Sequence, residues 1–347
     1  MTSEDEVGLA DLPGDLPTLQ EAFQLPKVTT YRHLTTGWMN RNWEIIAGQQ
    51  RYVLKRILAI PPAAAREIHA ALSFVATCSI PVCLPIRSLA GHSVVDVDDR
   101  SYCLVRWVGG AHLAGEDLSL PAVARLGRLV GRIHQALARM PATCEPRPIS
   151  SPADTVMGEA AKTTQTIMEI ERVITSLADP TPYDLHILRL LRRRADLLHL
   201  YAHLRPARQA EVPSRWVHGD LNNRNLLFRG QTVAAVLDWD RMRLSTYADE
   251  IVQAGLSLFR SRTGAVDVAK IAAFVAAYRT IVDMESAELA EAVSRRWWKR
   301  LTDVWPAEFR YLRGEPSERI ANLFPPEEAA LEWWTLHRDE VMRAFAG

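Results

Sequence analysis

The chain has 347 residues, enough for two lobes with separate cores, and its 41 Lys and Arg are balanced by 41 Asp and Glu. With 48% apolar and 24% charged residues it has the make-up of a globular protein, and zero formal charge lacks the basic surplus of a nucleic-acid binder. No apolar run approaches the roughly 18 residues of a membrane span, and the acidic start Met1–Val7 lacks the order of a secretory signal, so a cytoplasmic location with no membrane partner is expected.

In chain order, residues 1–26 read as a flexible acidic lead-in, with Pro13 and Pro17 among Asp11, Asp15 and Glu21. Residues 27–108 carry strand signals. Lys27–His33 alternates, and Trp43–Ala47 and Arg51–Leu58 flank a hairpin-like Gly48. Pro61 and Pro62 open a helical stripe of Ile68, Ala71, Leu72 and Val75, running to Cys78. A second strand pair follows, Ser93–Val97 and Ser101–Val108. The double glycine Gly109 and Gly110 then reads as a hinge. Beyond it, residues 109–347 are mostly helical: Pro121–Met140 places Val123, Leu126, Val130, Ile133 and Leu137 on one face. Two more helices, over 155–178 and 183–204, form a helical insert spanning 150–212. A strand-and-loop island at 214–240 interrupts the helices. The expected class is α+β and bilobal, with a small β-rich N-terminal lobe and a larger, mostly helical C-terminal lobe. The cysteines Cys78, Cys83, Cys103 and Cys144 show no C-x-x-C spacing and read as reduced thiols.

The island is the densest polar stretch. His218, Gly219, Asp220, Asn222, Asn223, Arg224 and Asn225 lie between apolar runs, and Asp238 and Asp240 follow the run Val233–Leu237. Asp220, Asn225 and Asp238 can converge at the mouth of one hairpin. Two carboxylates and an amide oxygen are hard ligands suited to Mg²⁺, which takes its remaining ligands from water and phosphates. A carboxylate beside the metal can accept a proton from an attacking hydroxyl, so phosphoryl transfer suits this trio. The same residues also read as a turn followed by two solvated strand-end charges.

His218, Asp220 and Asn225 in the order His-x-Asp-x₄-Asn, with Asp238 placed 18 residues after Asp220, resemble the catalytic loop and metal aspartate of the aminoglycoside phosphotransferase/choline kinase superfamily. That superfamily includes antibiotic kinases, choline kinases and type-II homoserine kinases and is related to protein kinases. The resemblance implies a protein-kinase-like fold, a nucleoside triphosphate donor (ATP, with GTP an alternative), Mg²⁺, and a small hydroxylated acceptor. It implies that Asp220 is the catalytic base and that Asn225 and Asp238 hold the metal, with Asp240 touching metal or substrate. His218 would brace the loop, and Asp249 would tie it down. Asn222 stands where many protein kinases carry a Lys, which points away from protein substrates.

A kinase also needs a lysine reaching the phosphates from a strand and a helical acid to hold it. Lys55, in Tyr52–Ile57, is one of only five lysines, and Glu67 lies twelve residues on as its expected partner. Gly37 and Asn40 belong to a loop resembling a phosphate-covering turn, and Trp107 and Val108 to the linker that would meet the base. Acceptor-binding candidates are fewer. Trp297, Trp298, Trp305, Trp333 and Trp334 either stack on an acceptor or pack between helices, and Arg192, Arg193 and Arg194 read as a solvated face. Neither helical segment is acidic enough to favour a polycationic aminoglycoside. The Arg- and Ala-rich composition resembles proteins of high-GC bacteria, in which such kinases often serve antibiotic resistance or natural-product metabolism. The competing expectations are a catalytically silent nucleotide-binding module and a protein kinase.

Overall fold

The computed structural model describes all residues except 1–11, 36–38, 149–156, 208–213, 315, 316, 318, 319 and 321. The N-terminal lobe is a five-stranded antiparallel sheet of order β1-β2-β3-β5-β4. Its strands are β1 (Val28–Leu34), β2 (Arg41–Ala47), β3 (Gln50–Arg56), β4 (Val95–Val97) and β5 (Arg100–Arg106). Helix α2 (Pro62–Thr77) crosses between β3 and β4, as the Pro pair and apolar stripe predict.

The two-residue period of a strand divides β3 between its faces. Tyr52 and Leu54 join a buried cluster with Trp43, Ile45, Tyr102 and Leu104. Lys55, one residue on, pairs with Asn42 and Cys103 and points to the other side of the sheet. The apolar side is covered by helix α1 (Leu12–Ala22), which corrects the expectation of a flexible lead-in over this stretch. Leu12, Leu19 and Phe23 are buried there, and Asp15 receives both Arg100 nitrogens at 2.8 Å and the Tyr102 hydroxyl at 2.5 Å. Burial of Leu12, Leu19 and Phe23 is worth roughly 1.5–3 kcal/mol each.

The C-terminal lobe holds α3 (Leu120–Ala138), α4 (Ala160–Thr175), α5 (Pro182–Tyr201), α6 (Tyr247–Leu258), α7 (Val268–Arg279) and α8 (Ser286–Leu301). It ends in α9 (Trp305–Tyr311), α10 (Phe324–Leu336) and α11 (Arg338–Ala346). Two small two-stranded sheets lie within it. One pairs β7 (Leu226–Arg229) with β8 (Thr232–Val236). The other pairs β6 (Arg215–Val217) with β9 (Arg243–Ser245), a strand the sequence does not announce. The lobes join at the double glycine, where Ala111 and Phe228 exchange backbone hydrogen bonds of 2.9 and 2.8 Å. A Cβ at Gly110 would lie 2.8 Å from the Phe228 carbonyl oxygen, so this crossing requires glycine.

The tryptophan concentration is mainly core. Trp297, Trp298 and Trp334 are buried, Trp333 stacks on His337, and Trp305 is exposed. Arg194 departs from the expected solvated face. It is 1% exposed, pairs with Glu328, and donates to the carbonyls of Arg300, Leu301 and Asp303, closing the end of α8.

Candidate active site

The site lies where β3, the β6–β7 loop and the segment after β8 meet. Lys55 Nζ donates to Asp240 Oδ2 at 2.7 Å and to Asp238 Oδ1 at 3.3 Å, across 185 and 183 residues of sequence. Burial on its own lowers the ammonium's pKa, but the charges of Asp240 and Asp238 outweigh this and hold Lys55 above its ordinary value, so it stays charged. Asp238 carries the left-handed backbone φ 55°, ψ 67°, a conformation costing a residue with a Cβ about 1–2 kcal/mol. Its carboxylate is the more open of the two, 44% exposed against 12% for Asp240.

Asp220 lies on the loop between β6 and β7 and is held as an acceptor. Asn222 Nδ2 donates to Oδ1 at 3.1 Å and Asn225 Nδ2 to Oδ2 at 3.1 Å, and both amides also reach the Asp220 carbonyl. This use of the Asn225 NH₂ turns its Oδ1 away from Asp220. His218 braces the loop: its Nε2 meets the Leu237 carbonyl at 2.9 Å and its Nδ1 accepts from the Asp220 amide at 3.2 Å. That pattern places the imidazole proton on Nε2. Gly219 has φ +84°, and a Cβ there would sit 2.1 Å from the Arg241 carbonyl oxygen. Gly219→Ala is therefore expected to cost several kcal/mol and displace the loop, measurable as a lower midpoint of thermal unfolding. An unchanged midpoint would mean that the loop relaxes freely.

The residue that ties this loop down is Glu250, not its neighbour Asp249. The buried Glu250 carboxylate accepts from the His218 amide at 3.3 Å, from the Gly219 amide, and from His134 Nε2 at 2.7 Å. Burial pushes its carboxyl up, but the His134 hydrogen bond and the Gly219 N–H outweigh this and hold it below its usual value. His134, fully buried on α3, is fixed in turn by the Tyr278 hydroxyl at 2.8 Å and a stacked Tyr247 ring at 4.0 Å. Asp249 instead accepts from the N-capping Thr246 hydroxyl at 2.7 Å and pairs with Arg295 at 3.3 Å. The signal for this division was present in Thr246-x-x-Asp249, a capping pattern that occupies Asp249 and leaves Glu250 for the buried side.

Glu67 does not pair with Lys55. Its carboxylate takes the Arg147 amide and Nε, each at 2.8 Å. On the same helix His69 is pushed down to about 4 by burial and by the Lys55 charge, and is hence neutral. Asn40 lies with the site, its Nδ2 donating to Asp240 Oδ2 at 2.7 Å. Trp107 is at the lobe junction, its amide donating to the Arg51 carbonyl at 3.0 Å and its ring under the Arg51 guanidinium at 4.2 Å. Val108 follows it, half-buried, before the double glycine. Gly37 falls outside the described residues. Among the described residues no cluster of three His, Cys, Asp or Glu forms a ready metal cage. The available oxygens, Asn225 Oδ1 and the open Asp238 carboxylate, nonetheless suit a hard ion that keeps most of its shell from phosphates and water.

The model of the phosphotransferase enzyme family matches residues 30–289, well over half of the chain. A comparison with curated proteins returned no match. Among solved structures, a spectinomycin phosphotransferase with ADP and spectinomycin superimposes with a TM-score of 0.68 at 12% identity, covering 92% of this chain and 97% of that one. The amicoumacin kinase in complex with AMP-PNP, Ca²⁺ and its antibiotic gives 0.63 at 14% identity, covering 95% and 96%. An aminoglycoside phosphotransferase from Alicyclobacillus acidocaldarius gives 0.59 at 17% identity, covering 94% and 93%. Likeness at such identities carries the bilobal fold, and the family match over residues 30–289 carries the class: the chain belongs to the phosphotransferase enzyme family.

Proposed function

We propose that the protein transfers the terminal phosphoryl group of a nucleoside triphosphate, ATP before GTP, to a hydroxyl of a small molecule. The acceptor is an antibiotic, nucleoside, sugar or amino alcohol. The observation that carries this reading is the meeting of Lys55 from one lobe with Asp238 and Asp240 from the other, beside Asp220 held by two amides. Phosphoryl transfer needs positioning and charge neutralisation more than covalent chemistry, and these residues supply both. Lys55 is the charge that meets the phosphates. Asn225 and Asp238 would hold Mg²⁺, which neutralises negative charge on the transferred group. Asp220 accepts hydrogen bonds through both carboxylate oxygens, so it is oriented to receive the acceptor's hydroxyl proton as the oxygen attacks. Asn40 and the linker at Trp107 and Val108 border the nucleotide's place. An acceptor bearing several positive charges is not favoured, because the flank of the catalytic loop carries Arg243, Arg295 and Arg296 against Asp249.

The test is a panel of hydroxylated acceptors incubated with Mg-ATP or Mg-GTP and read by mass. The expected result is one acceptor class gaining the mass of a phosphate, with stoichiometric nucleoside diphosphate. Nucleotide binding without transfer to any acceptor would favour the silent-module reading, and labelling of polypeptide would favour a protein kinase.

A further inference from the structure

The expected helical counter-ion of Lys55 is absent, and something else does its work. Glu67 is taken by Arg147, and His69, an α2 residue that feels the lysine's charge, is neutral. The lysine's carboxylates are Asp238 and Asp240, and the two differ. Asp238 is open and held by one contact of 3.3 Å. Asp240 is 12% exposed and accepts two contacts of 2.7 Å through one oxygen, Oδ2: from Lys55 Nζ and from Asn40 Nδ2. The Asn40 amide has a fixed orientation, since its Oδ1 accepts the backbone N–H groups of Leu58 at 2.9 Å and Ala59 at 3.1 Å. Its NH₂ must therefore face Asp240. The amide is buried and spans 200 residues of sequence to reach its partner.

We infer that Asp240, oriented by Asn40, is the standing counter-ion of the phosphate-binding lysine and the clasp between the lobes, whereas Asp238 alone is left for the metal. The inference rests on the kinase reading above and departs from it at one point: Asp240 is a positioning residue acting through Lys55 and not a metal ligand. The physical ground is a division of labour between two neighbouring carboxylates. A metal ion needs a carboxylate with free lone pairs and open space, which Asp238 has. A half-buried ammonium needs a partner that remains when Asp238 turns to the metal, because a buried charge left unpaired is costly. Asn40, expected to contact phosphate, is committed instead to Asp240 and to the segment after β3, and so sets the depth at which Lys55 stands in the cleft.

Two titrations of the full chain separate the roles: ADP affinity without metal, and the Mg²⁺ midpoint for binding AMP-PNP, both by calorimetry. Asp240→Asn is expected to weaken metal-free ADP binding about tenfold, the loss of a well-placed cation, while the Mg²⁺ midpoint stays within about twofold of wild type. Asp238→Asn is expected to reverse that pattern, and Glu67→Gln to change neither. In a Lys55→Met background, Asp240→Asn should weaken ADP no further, because its effect passes through the lysine. Folding of each variant is read independently by circular dichroism. An Asp240→Asn protein whose Mg²⁺ midpoint rises as far as that of Asp238→Asn overturns the inference, as does a Glu67→Gln protein that loses ADP affinity. A wild-type protein that binds neither nucleotide overturns the kinase reading itself, and this inference with it.

Discussion

Asp220→Asn should reduce phosphoryl transfer by about 10²–10⁴-fold, the usual contribution of a general base, while ADP and AMP-PNP still bind. The hydrogen bonds make this substitution less innocent than its shape suggests. Both carboxylate oxygens accept from amide NH₂ groups, Oδ1 from Asn222 and Oδ2 from Asn225, each at 3.1 Å. An asparagine at 220 has one oxygen and one NH₂, so in either orientation it sets a donor against a donor. One of the two bonds is lost, at about 1 kcal/mol, and the side chain rotates away from its place. Asp220→Ala removes the base without that conflict. The pair therefore separates chemistry from geometry: both variants should lose turnover and take an acceptor from Asn225, but only Asp220→Asn sets an opposing NH₂ against the neighbouring amides. If Asn225 holds the metal through Oδ1 as proposed, Asp220→Asn, which turns that amide, is expected to raise the Mg²⁺ requirement and Asp220→Ala to leave it nearer wild type. Single-turnover formation of phosphorylated acceptor and nucleoside diphosphate, with nucleotide affinity measured alongside, is the check. Turnover within tenfold of wild type in Asp220→Ala would remove Asp220 from the base position.

The parts of this site that could be read in advance are those fixed by the local chain. Asp220 and Asn225 lie on one loop whose geometry is set by the His218 brace and the left-handed Gly219, so their spacing carries their placement. Lys55 was legible because strand alternation gives it the face opposite Leu54. What the sequence concealed is which distant side chain meets which. Glu67 has the right type and distance along the chain, but the partner of an acid at the start of a helix depends on where that helix lies over the sheet, and here Arg147 is nearer. Asp249 and Glu250 are adjacent acids, and the phase of α6 alone decides that Glu250 faces inward. Helix α1 was hidden by its acids and prolines, although Leu12, Leu16, Leu19 and Phe23 recur at helical intervals. Arg194 differs for the opposite reason: an arginine triplet looks solvated until the carbonyls of a neighbouring helix end supply acceptors for its last member.

Glu250→Gln is expected to be the most damaging substitution outside the residues that meet substrate. The carboxylate is 4% exposed and serves three donors at once: the amides of His218 and Gly219 and the His134 imidazole. Glutamine keeps one acceptor oxygen and turns an NH₂ on the other donors, so a buried polar network is broken from one side, at about 3–5 kcal/mol. The loop that carries Asp220 loses its anchor together with the stability, so turnover should fall more than nucleotide affinity does. The pH dependence identifies the cause. The carboxyl is held below its ordinary value near 4.5, so its charge stabilises the fold above that value and the contribution is lost as pH falls through the lower, folded value. The stability gap between wild type and Glu250→Gln is thus expected to be full above about pH 5 and to shrink as the medium becomes more acidic. His134→Gln should produce a smaller gap of the same kind, because it removes one of the three donors and leaves the two backbone amides in place. Chemical unfolding of the three proteins between pH 7 and pH 3 measures this. A gap that stays constant across that range would show that the Glu250 charge does not hold the loop, and that its role is one of packing alone.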